Sequence, residues 1–404
     1  MTTFNASSGD FDDLIRQLAD EIYNSKNDRY YSPELVKKTA GKLADAISEG
    51  YGNISADWDT PDHLMLEKLT ENVFSFSGAK NYQQLQDITQ ALRGEDGKLL
   101  DFSDFKQACD DIGHKYNENW LESEYQTAVS SAQSAARWCE FREEAGLFPM
   151  LQYQTVGDNR VRLSHQLLNG VTKHIDDEFW KTYYPPNGWN CRCEAIQMPE
   201  GDAQESETPV HLPPVQPMFK TNLAESGLLF PKNHPYYDGV PKDIIRRTMQ
   251  YIPEDYAYRI KEGFEEHAML QHEPEAAENR EIAKLLADSG EKDIKLLPRL
   301  HEKEIELRHK YYGEEYTGNR PTKCPDSFID GEPVEFKETG KGNISKRILE
   351  ASKQADVVVI KSKDILTDDY IERQINSQWK MNDRDNLKRI IVINDGKVHK
   401  FERP

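Results

Sequence analysis

The chain has 404 residues, which is too many for one ordinary hydrophobic core, so two or three domains are expected. Hydrophobic residues make up 37% and charged residues 30%, a balance that predicts solvent-exposed helices and polar connectors. The formal net charge of -20 argues against general coating of nucleic acid, although it is compatible with a local basic site. No membrane span is expected because no apolar run is long enough, and no signal peptide because the N-terminus lacks the basic-then-apolar order.

The five cysteines are odd in number and scattered along the chain. They are Cys109, Cys139, Cys191, Cys193 and Cys324. This distribution does not resemble a disulfide framework. We therefore expect a chain made in a reducing cytoplasm.

The first part of the chain has apolar residues at helical spacing, which predicts a mainly α-helical region. Ser32 followed by Pro33 is typical of a helix start, with Ser32 as the cap and Pro33 in the first turn. Helices are predicted over Phe11–Ile22, Pro33–Glu49, Pro61–Phe76, Tyr82–Leu92, Asp104–His114 and Asn117–Arg142. The pattern changes after Gly146, where short strands are predicted at 151–156 and 161–163.

The stretch Trp180–Cys193 concentrates unusual residue types. Pro185-Pro186 and Asn187-Gly188 exclude a regular helix and favour turns. Its aromatic side chains need a core to cover them; they are Trp180, Tyr183, Tyr184 and Trp189. We interpret the stretch as a rigid loop that ends a domain at about residue 198.

His165, Cys191 and Cys193 are candidate ligands of a structural zinc ion. Zinc in proteins takes four nitrogen or sulfur ligands, so a fourth would be needed, with His174 and Cys139 as candidates. Against this, Cys-x-Cys is tighter than the usual knuckle spacing, and cysteine is often a small buried apolar residue. A zinc site and a metal-free buried knot both stay open from the residues alone.

Several rare residue types in this region recur in the order of the phage Mu F-like head morphogenesis family. They are Arg162-Leu-Ser-His165, Leu168-Asn-Gly170, Asp176-Asp177, Phe179-Trp180 and Tyr184-Pro-Pro-Asn-Gly-Trp-Asn-Cys191-Arg-Cys193. The resemblance covers most of residues 1–198. It implies a minor capsid protein of a phage virion or prophage, with portal and capsid proteins as partners, acting in head assembly or DNA packaging. It implies no established reaction.

Residues 199–272 are predicted to be an extended linker or connector. The segment begins with acidic, polar chain and continues with proline-spaced aromatic residues. Helices are predicted within it at Asp243–Met249 and Tyr256–His267. Its histidines, His234, His267 and His272, are expected to be solvated.

Residues 273–404 alternate between helical and strand patterns. The predicted order is α-β-(α)-β-β-α-β-α-β-β, an α/β domain with its own core. Asp330-Gly331 and Asp395-Gly396 each lie between short apolar runs, which is typical of a β-hairpin. The predicted fold class is therefore multidomain, with a mainly helical N-terminal module, a small β/loop region and an α/β C-terminal domain.

The first of these hairpins carries the candidate catalytic residues Asp326, Glu335 and Lys337. Residues two apart on a strand face the same side, so Glu335 and Lys337 share a face, and the hairpin brings Asp326 near them. Two carboxylates can bind a divalent metal, and an adjacent lysine can orient water or stabilise a phosphate. Glu278 on the preceding helix is a candidate third carboxylate. Alternatively, Glu335-x-Lys337 is an ordinary solvated ion pair.

The letters Pro325, Asp326, Glu335 and Lys337 and the element order resemble the PD-(D/E)xK nuclease superfamily. Residues 275–402 also resemble the C-terminal tRNase domains of contact-dependent inhibition toxins. The resemblance implies metal-dependent hydrolysis of phosphodiesters in RNA, such as tRNA, or in DNA, and adds an immunity protein as a candidate partner. It implies Mg, Mn or Zn held by Asp326 and Glu335 with help from Glu278, and a water positioned by Lys337.

Two basic clusters are candidate nucleic-acid contacts on this acidic chain. They comprise Lys341, Lys346 and Arg347, then Lys380, Arg384 and Lys388. Clustered cations favour a local phosphate-facing surface. The alternative is that these side chains are simply solvated.

Two other functions remain open from the sequence. A metal-independent RNase of the barnase or colicin type would use general acid and base residues, for which His301, His309 and His399 are the candidates. A non-enzymatic structural virion protein would use the C-terminal domain for docking or decoration.

Overall fold

The computed structural model divides the chain into two compact units, Met1–Ile252 and Pro253–Pro404. It describes residues 8–24, 30–52, 60–202, 205–206, 212–273, 276–381 and 384–404. Part of the acidic stretch of the predicted connector, at 203–204 and 207–211, lies outside these ranges. For His272 the structure describes the backbone but not the side chain. Within the described residues, no helix combines the length and apolarity needed to cross a lipid bilayer.

Five helices build most of the N-terminal unit. They are α1 (Ser8–Tyr23), α2 (Pro33–Tyr51), α3 (Pro61–Gln90), α4 (Phe102–His114) and α5 (Leu121–Glu143). The predicted start of α2 is confirmed, because the Ser32 hydroxyl accepts a hydrogen bond from the backbone N–H of Leu35 at 3.3 Å. A π-helical segment, Lys115–Trp120, joins α4 to α5.

Helix α3 corrects the prediction of two separate helices at 61–76 and 82–92. Ser77 and Gly78 lie inside one continuous helix of 30 residues. A Cβ atom at Gly78 would lie 2.3 Å from the Thr248 hydroxyl oxygen, so the glycine permits close packing against another element. The glycine therefore marks a contact and not a helix end.

A small antiparallel sheet and four short or medium helices complete the N-terminal unit. They are β1 (Met150–Gln154), α6 (Leu163–Gln166), β2 (Thr172–His174), α7 (Phe179–Tyr183), β3 (Glu194–Met198), α8 (Leu223–Ser226) and α9 (Lys242–Met249). The sheet order is β2-β1-β3. The strand predicted at 151–156 is confirmed over most of its length, whereas the one predicted at 161–163 is wrong, because α6 begins at Leu163.

The predicted loop Trp180–Cys193 is an aromatic core segment with a cis Pro185-Pro186 peptide bond. Trp180 and Tyr184 are almost fully buried. Trp189 packs against Phe219 and Phe230, which come from the predicted connector. The loop therefore holds later parts of the chain onto the N-terminal unit.

Residues of the predicted connector are folded into both units. Phe230 stacks on Phe76 of α3 with ring centroids 3.9 Å apart. The helix predicted at Asp243–Met249 is confirmed as α9, but the one at Tyr256–His267 is wrong. That segment forms the hairpin β4 (Tyr258–Lys261) and β5 (Phe264–His267), because Gly263 with a φ of +83° permits the turn.

The prediction of solvated histidines in this segment is also wrong for the two that the structure describes. His234 is buried in the N-terminal unit, where its ring lies 5.1 Å from Phe76 and 4.7 Å from Tyr236. His267 is buried in the C-terminal unit between Tyr258 and Tyr311. Aromatic neighbours from distant parts of the chain cover both imidazoles.

The remaining elements of the C-terminal unit alternate as the sequence predicts. They are α10 (Ala276–Asp288), β6 (Ile294–Leu296), α11 (Ile305–Tyr312), β7 (Ser327–Ile329), β8 (Glu332–Thr339), α12 (Ile344–Ser352), β9 (Val357–Ser362), α13 (Asp368–Gln378), β10 (Arg389–Asn394) and β11 (Lys397–Glu402). Strands β6 to β11 form one mixed eight-stranded sheet with β4 and β5, in the order β11-β10-β9-β8-β7-β6-β5-β4. The predicted multidomain organisation, helical first and mixed α/β second, is confirmed.

The sheet of the C-terminal unit separates two apolar cores. Val357 and Val359 of β9 point into the core that contains α10, whereas Val358 and Ile360 point into the core that contains α12 and α13. Coverage of both faces explains the continuous apolar run in β9. Both predicted hairpin turns are confirmed, since Asp330-Gly331 and Asp395-Gly396 have positive φ at both residues.

Candidate functional site

The hairpin of β7 and β8 brings Asp326, Glu335 and Lys337 together. Asp326 immediately precedes β7, and its Oδ2 accepts a hydrogen bond from the backbone N–H of Phe336 at 2.9 Å. Since Val334 and Phe336 enter the core beneath α10, Glu335 and Lys337 face the opposite side of β8. The Lys337 ammonium donates a hydrogen bond to Glu335 Oε1.

Glu335 carries a carboxyl group that is buried among polar side chains. Its side chain is only 1% exposed. Burial and the adjacent Asp326 carboxylate raise the pKa of Glu335 to about 8, and Lys337 opposes the rise. Its Oε2 atom is buried and has no hydrogen-bond partner among the described residues. A buried, unpartnered carboxylate oxygen is an unusual feature in a folded domain.

Two residues to which the sequence analysis gave no role in the site complete the polar cluster. Asn279 of α10 donates to Asp326 Oδ1 at 3.3 Å, and Gln354 donates from its amide to Glu335 Oε1. The backbone carbonyl of Gln354 accepts from the Tyr316 hydroxyl at 2.7 Å and from Arg320 at 3.2 Å. Asn279 adjoins the predicted Glu278, but no local spacing in the sequence points to Gln354.

Glu278 does not join this cluster. It is exposed on α10, and its charge contributes to a raised pKa of Lys363. The ligand atoms of Glu278, Asp326 and Glu335 do not all lie within 4.8 Å of one another. Among the described residues, a group in the N-terminal unit meets that condition. The metal-binding role of Glu278 stays a prediction.

The predicted nucleic-acid contacts differ in how available they are. Lys341 is exposed near the start of α12, with its ammonium over the Tyr370 ring, and Lys380 is also exposed. Lys346 and Arg347 both pair with Glu350, and Lys388 pairs with Asp356 at 3.5 Å. Arg384 is different, because it is 4% exposed and donates to the backbone carbonyl of Ser345. Its burial removes it from the surface that the sequence predicted.

A buried arginine fixes the chain that leads into the site. Arg308 of α11 is 1% exposed and donates to the backbone carbonyls of Leu300, Tyr316 and Lys323. It also lies 3.2 Å from the sulfur of Cys324, two residues before Asp326. The planar guanidinium therefore holds three separate points of the chain between β6 and β7 in fixed positions.

The histidines of the metal-independent alternative are not gathered into one group of ligand or acid-base side chains. His301 precedes α11 and accepts from the backbone N–H of Lys303, while His309 is exposed on α11. His399 lies on β11, 3.8 Å from Asp368. The geometry of these described residues gives no support to a shared acid-base site.

His165, Cys191 and Cys193 form the group of three ligand-type side chains that the described residues do contain. The Sγ atoms of Cys191 and Cys193 lie 3.6 Å and 3.5 Å from Nδ1 of His165. Hydrogen bonds from Cys193 and His165 outweigh burial and lower the pKa of Cys191 to about 4. The predicted fourth ligands lie elsewhere: Cys139 contacts Tyr51, and His174 pairs with Asp176.

Comparison with known proteins identifies two regions of the chain. Residues 82–196 match the family described as Phage Mu protein F like protein, and residues 323–398 match the Contact-dependent growth inhibition CdiA C-terminal domain. The chain therefore carries a Mu F-like domain followed by a CdiA C-terminal type domain, as the sequence motifs indicate. The second match includes Asp326, Glu335 and Lys337.

Two curated relatives support the N-terminal assignment. Over 73 residues the chain is 42% identical to protein F of Escherichia phage Mu, which is named as a capsid assembly protein. Over 80 residues it is 38% identical to the Mu-like prophage FluMu F protein of Haemophilus influenzae. These segments cover 18% and 20% of this chain but only 17% and 19% of the relatives. No solved structure shows significant similarity.

Proposed function

We propose that this chain is a phage minor head protein that carries a metal-dependent nuclease in its C-terminal domain. The observation that carries the nuclease assignment is the cluster of the buried Asp326 and Glu335 with the partly buried Lys337, within the CdiA-like region. The substrate is RNA, with tRNA as the candidate, and the reaction is hydrolysis of a phosphodiester.

The head role rests on the Mu F-like domain and its relatives. Its partners are portal and capsid proteins, and its location is the virion of a phage or prophage. The nuclease domain would then travel with the particle, and an immunity protein is its candidate inhibitor.

The topology of the C-terminal unit supports a PD-(D/E)xK type of nuclease. Apart from α11, which lies between β6 and β7, the elements α10-β6-β7-β8-α12-β9 follow the αβββαβ order of that superfamily's core, with β6, β7 and β8 antiparallel and β9 parallel to β8. Asp326 immediately precedes the second strand of this core, and Glu335 and Lys337 lie on the third. Asn279 approaches them from α10, and Gln354 from the turn that follows α12.

The donor set fits a divalent cation. Glu335 Oε2 has no partner among the described residues, and the Asp326 carboxylate lies beside it. A bound cation would supply Lewis-acid stabilisation of the phosphate and a more acidic water. Asp326 and Glu335 hold negative charge for it, with Glu278 as a proposed third carboxylate. Lys337 keeps Glu335 oriented and presents an ammonium group to the attacking water or the phosphate.

The test is cleavage of total RNA and of DNA by the full-length chain with Mg²⁺, Mn²⁺ or Zn²⁺. We expect RNA cleavage that EDTA abolishes. Because each residue acts on the reacting groups, Glu335→Gln and Lys337→Ala are expected to lower the rate by roughly 100-fold or more. Matched controls are Glu338→Gln, on the same strand but paired with Lys361 and Lys363, and the exposed Lys397→Ala.

The outcomes separate the alternatives. Cleavage that persists unchanged in EDTA would rule out a metal requirement and favour a metal-independent RNase. Full activity of both site variants would rule out this set of residues as the active site. Absence of cleavage and of toxicity on expression in a bacterial cytoplasm would leave a docking or decoration domain.

A further inference from the structure

The side-chain cluster of His165, Cys191 and Cys193 lies in the N-terminal unit, far along the chain from the candidate nuclease site. His165 is carried by α6, and the two cysteines immediately precede β3. His165 is 5% and Cys191 3% exposed, and Cys193 is partly buried. Three soft or borderline donors thus converge from two segments that are separated by 26 residues.

The two nitrogen–sulfur distances in this cluster match those of a tetrahedral zinc site. With Zn–S of about 2.3 Å and Zn–N of about 2.0–2.1 Å, a tetrahedral angle places sulfur and nitrogen about 3.6 Å apart. The observed separations from His165 Nδ1 are 3.6 Å to Cys191 and 3.5 Å to Cys193. All three ligand atoms lie within 4.8 Å of one another, so one ion can reach each of them.

Room for a fourth ligand adjoins the three donors. A cavity of about 20 Å³ is lined by all three side chains together with Arg160, Arg162, Arg192 and their neighbours. One water molecule needs a cavity of about 10–15 Å³. A solvent molecule can therefore take the position for which the sequence suggested His174 or Cys139.

Two other contacts hold the same pair of segments in register. Arg162 donates to the backbone carbonyl of Trp189 at 2.6 Å. Arg192 makes a bidentate pair with Asp158, with bonds of 2.7 Å and 2.8 Å. The ligand positions are therefore held by the fold, which reduces the ordering cost of binding an ion.

We propose that His165, Cys191 and Cys193 bind one Zn²⁺ ion, with a water molecule as the fourth ligand. The ion fastens the loop that ends at α6 to the loop that enters β3. Because the unfolded chain has no such arrangement, binding adds directly to the stability of the N-terminal unit. Its thiolate and imidazole donors separate this ion chemically from the carboxylate donors of the nuclease site.

The test is the metal content of the purified full-length chain, kept under reducing conditions and measured by inductively coupled plasma mass spectrometry. All samples carry Glu335→Gln, so that a cation at the nuclease site does not contribute. We expect one zinc per chain, and a loss of at least about ten-fold in occupancy for His165→Ala, Cys191→Ser and Cys193→Ser. Cys109→Ser, a buried cysteine of α4 outside the cluster, is the matched control and should keep the metal.

A second readout needs no ligand variant and therefore does not depend on how well the variants fold. Co²⁺ added to the metal-free chain should give the intense visible bands of a tetrahedral site and thiolate-to-cobalt absorption, and stoichiometric Zn²⁺ should bleach them. Absence of both zinc and cobalt bands in the reduced chain would overturn the proposal. So would a Cys191–Cys193 disulfide, detected as a mass two hydrogens lower and as failure to react with iodoacetamide.

Discussion

At the scale of single residues, the properties of the candidate active site come from unequal environments of similar side chains. The Asp326 carboxylate accepts hydrogen bonds from Phe336 N–H and Asn279, which stabilise its charge. Glu335 has one oxygen bound by Lys337 and Gln354 and the other unpartnered among the described residues. The proton of the pair therefore belongs on Glu335, and a cation would replace it.

Glu335→Gln is expected to remove a pH dependence of stability in the metal-free chain. Burial and Asp326 raise the pKa of Glu335 from 4.5 to about 8, so in this window the folded state keeps a proton that the unfolded state has lost. The stabilising contribution of protonated Glu335 to the free energy of unfolding is fully present below pH 4.5. As the pH rises from 4.5 to about 8, this contribution falls by up to about 1.4 kcal/mol per pH unit.

The measurement is urea unfolding of the full-length chain between those two pH values, without divalent cations. The difference between wild type and Glu335→Gln should change steadily across the window. Glu338→Gln is the control, because its partners Lys361 and Lys363 lower the pKa of Glu338 and so place its titration below the window. A constant difference between wild type and Glu335→Gln would contradict the raised pKa of Glu335.

At the scale of elements, side chains of α3 hold the segment that was predicted to be a linker. The Asn72 side chain donates to the backbone carbonyl of Phe230 at 3.0 Å and accepts from its N–H at 2.7 Å. Both partners are buried. The Asn72 side chain thus satisfies both backbone polar groups of Phe230, as a neighbouring β-strand would do.

Asn72→Ala is expected to loosen this segment. The change leaves a buried N–H and a buried C=O without partners, at about 1–3 kcal/mol each, so the free energy of unfolding should fall by roughly 2–6 kcal/mol. Urea unfolding measures the loss, and faster proteolysis between residues 213 and 240 locates it. Asn233→Ala removes a single bond on an exposed side chain and should cost about 0.5 kcal/mol or less. Equal stability of the two variants would contradict the proposed role of Asn72.

At the scale of the whole molecule, the two proposed metal sites belong to different units, one within Met1–Ile252 and the other within Pro253–Pro404. The N-terminal site has thiolate and imidazole donors, which suit zinc, whereas the C-terminal site has carboxylates, which suit magnesium or manganese. Donor chemistry therefore predicts different preferred ions at the two proposed sites.

Variants at the two sites are expected to act independently. Cys191→Ser should lower zinc content and the melting temperature while RNA cleavage persists at temperatures where the chain stays folded. Lys337→Ala should abolish cleavage while zinc content is unchanged, and the double variant should combine both losses without interaction. Metal analysis and RNA cleavage on the same four preparations make the comparison. Loss of cleavage in the folded Cys191→Ser chain would show that the sites are coupled.

The sequence by itself determined the features that depend on neighbours along the chain. The period of apolar residues indicated the helices and strands, and Asp-Gly pairs located two hairpins, because positive φ is a local requirement. The shared face of Glu335 and Lys337 likewise follows from strand geometry alone.

Only the tertiary structure decided what depends on contacts between distant segments. Gln354 reaches Glu335 across 19 residues, Asn279 reaches Asp326 across 47, and Asn72 holds Phe230 across 158. The same packing buried Arg384, which the sequence placed on the surface. A local pattern states which side of an element is apolar, but burial and polar partners depend on what the rest of the chain places against it.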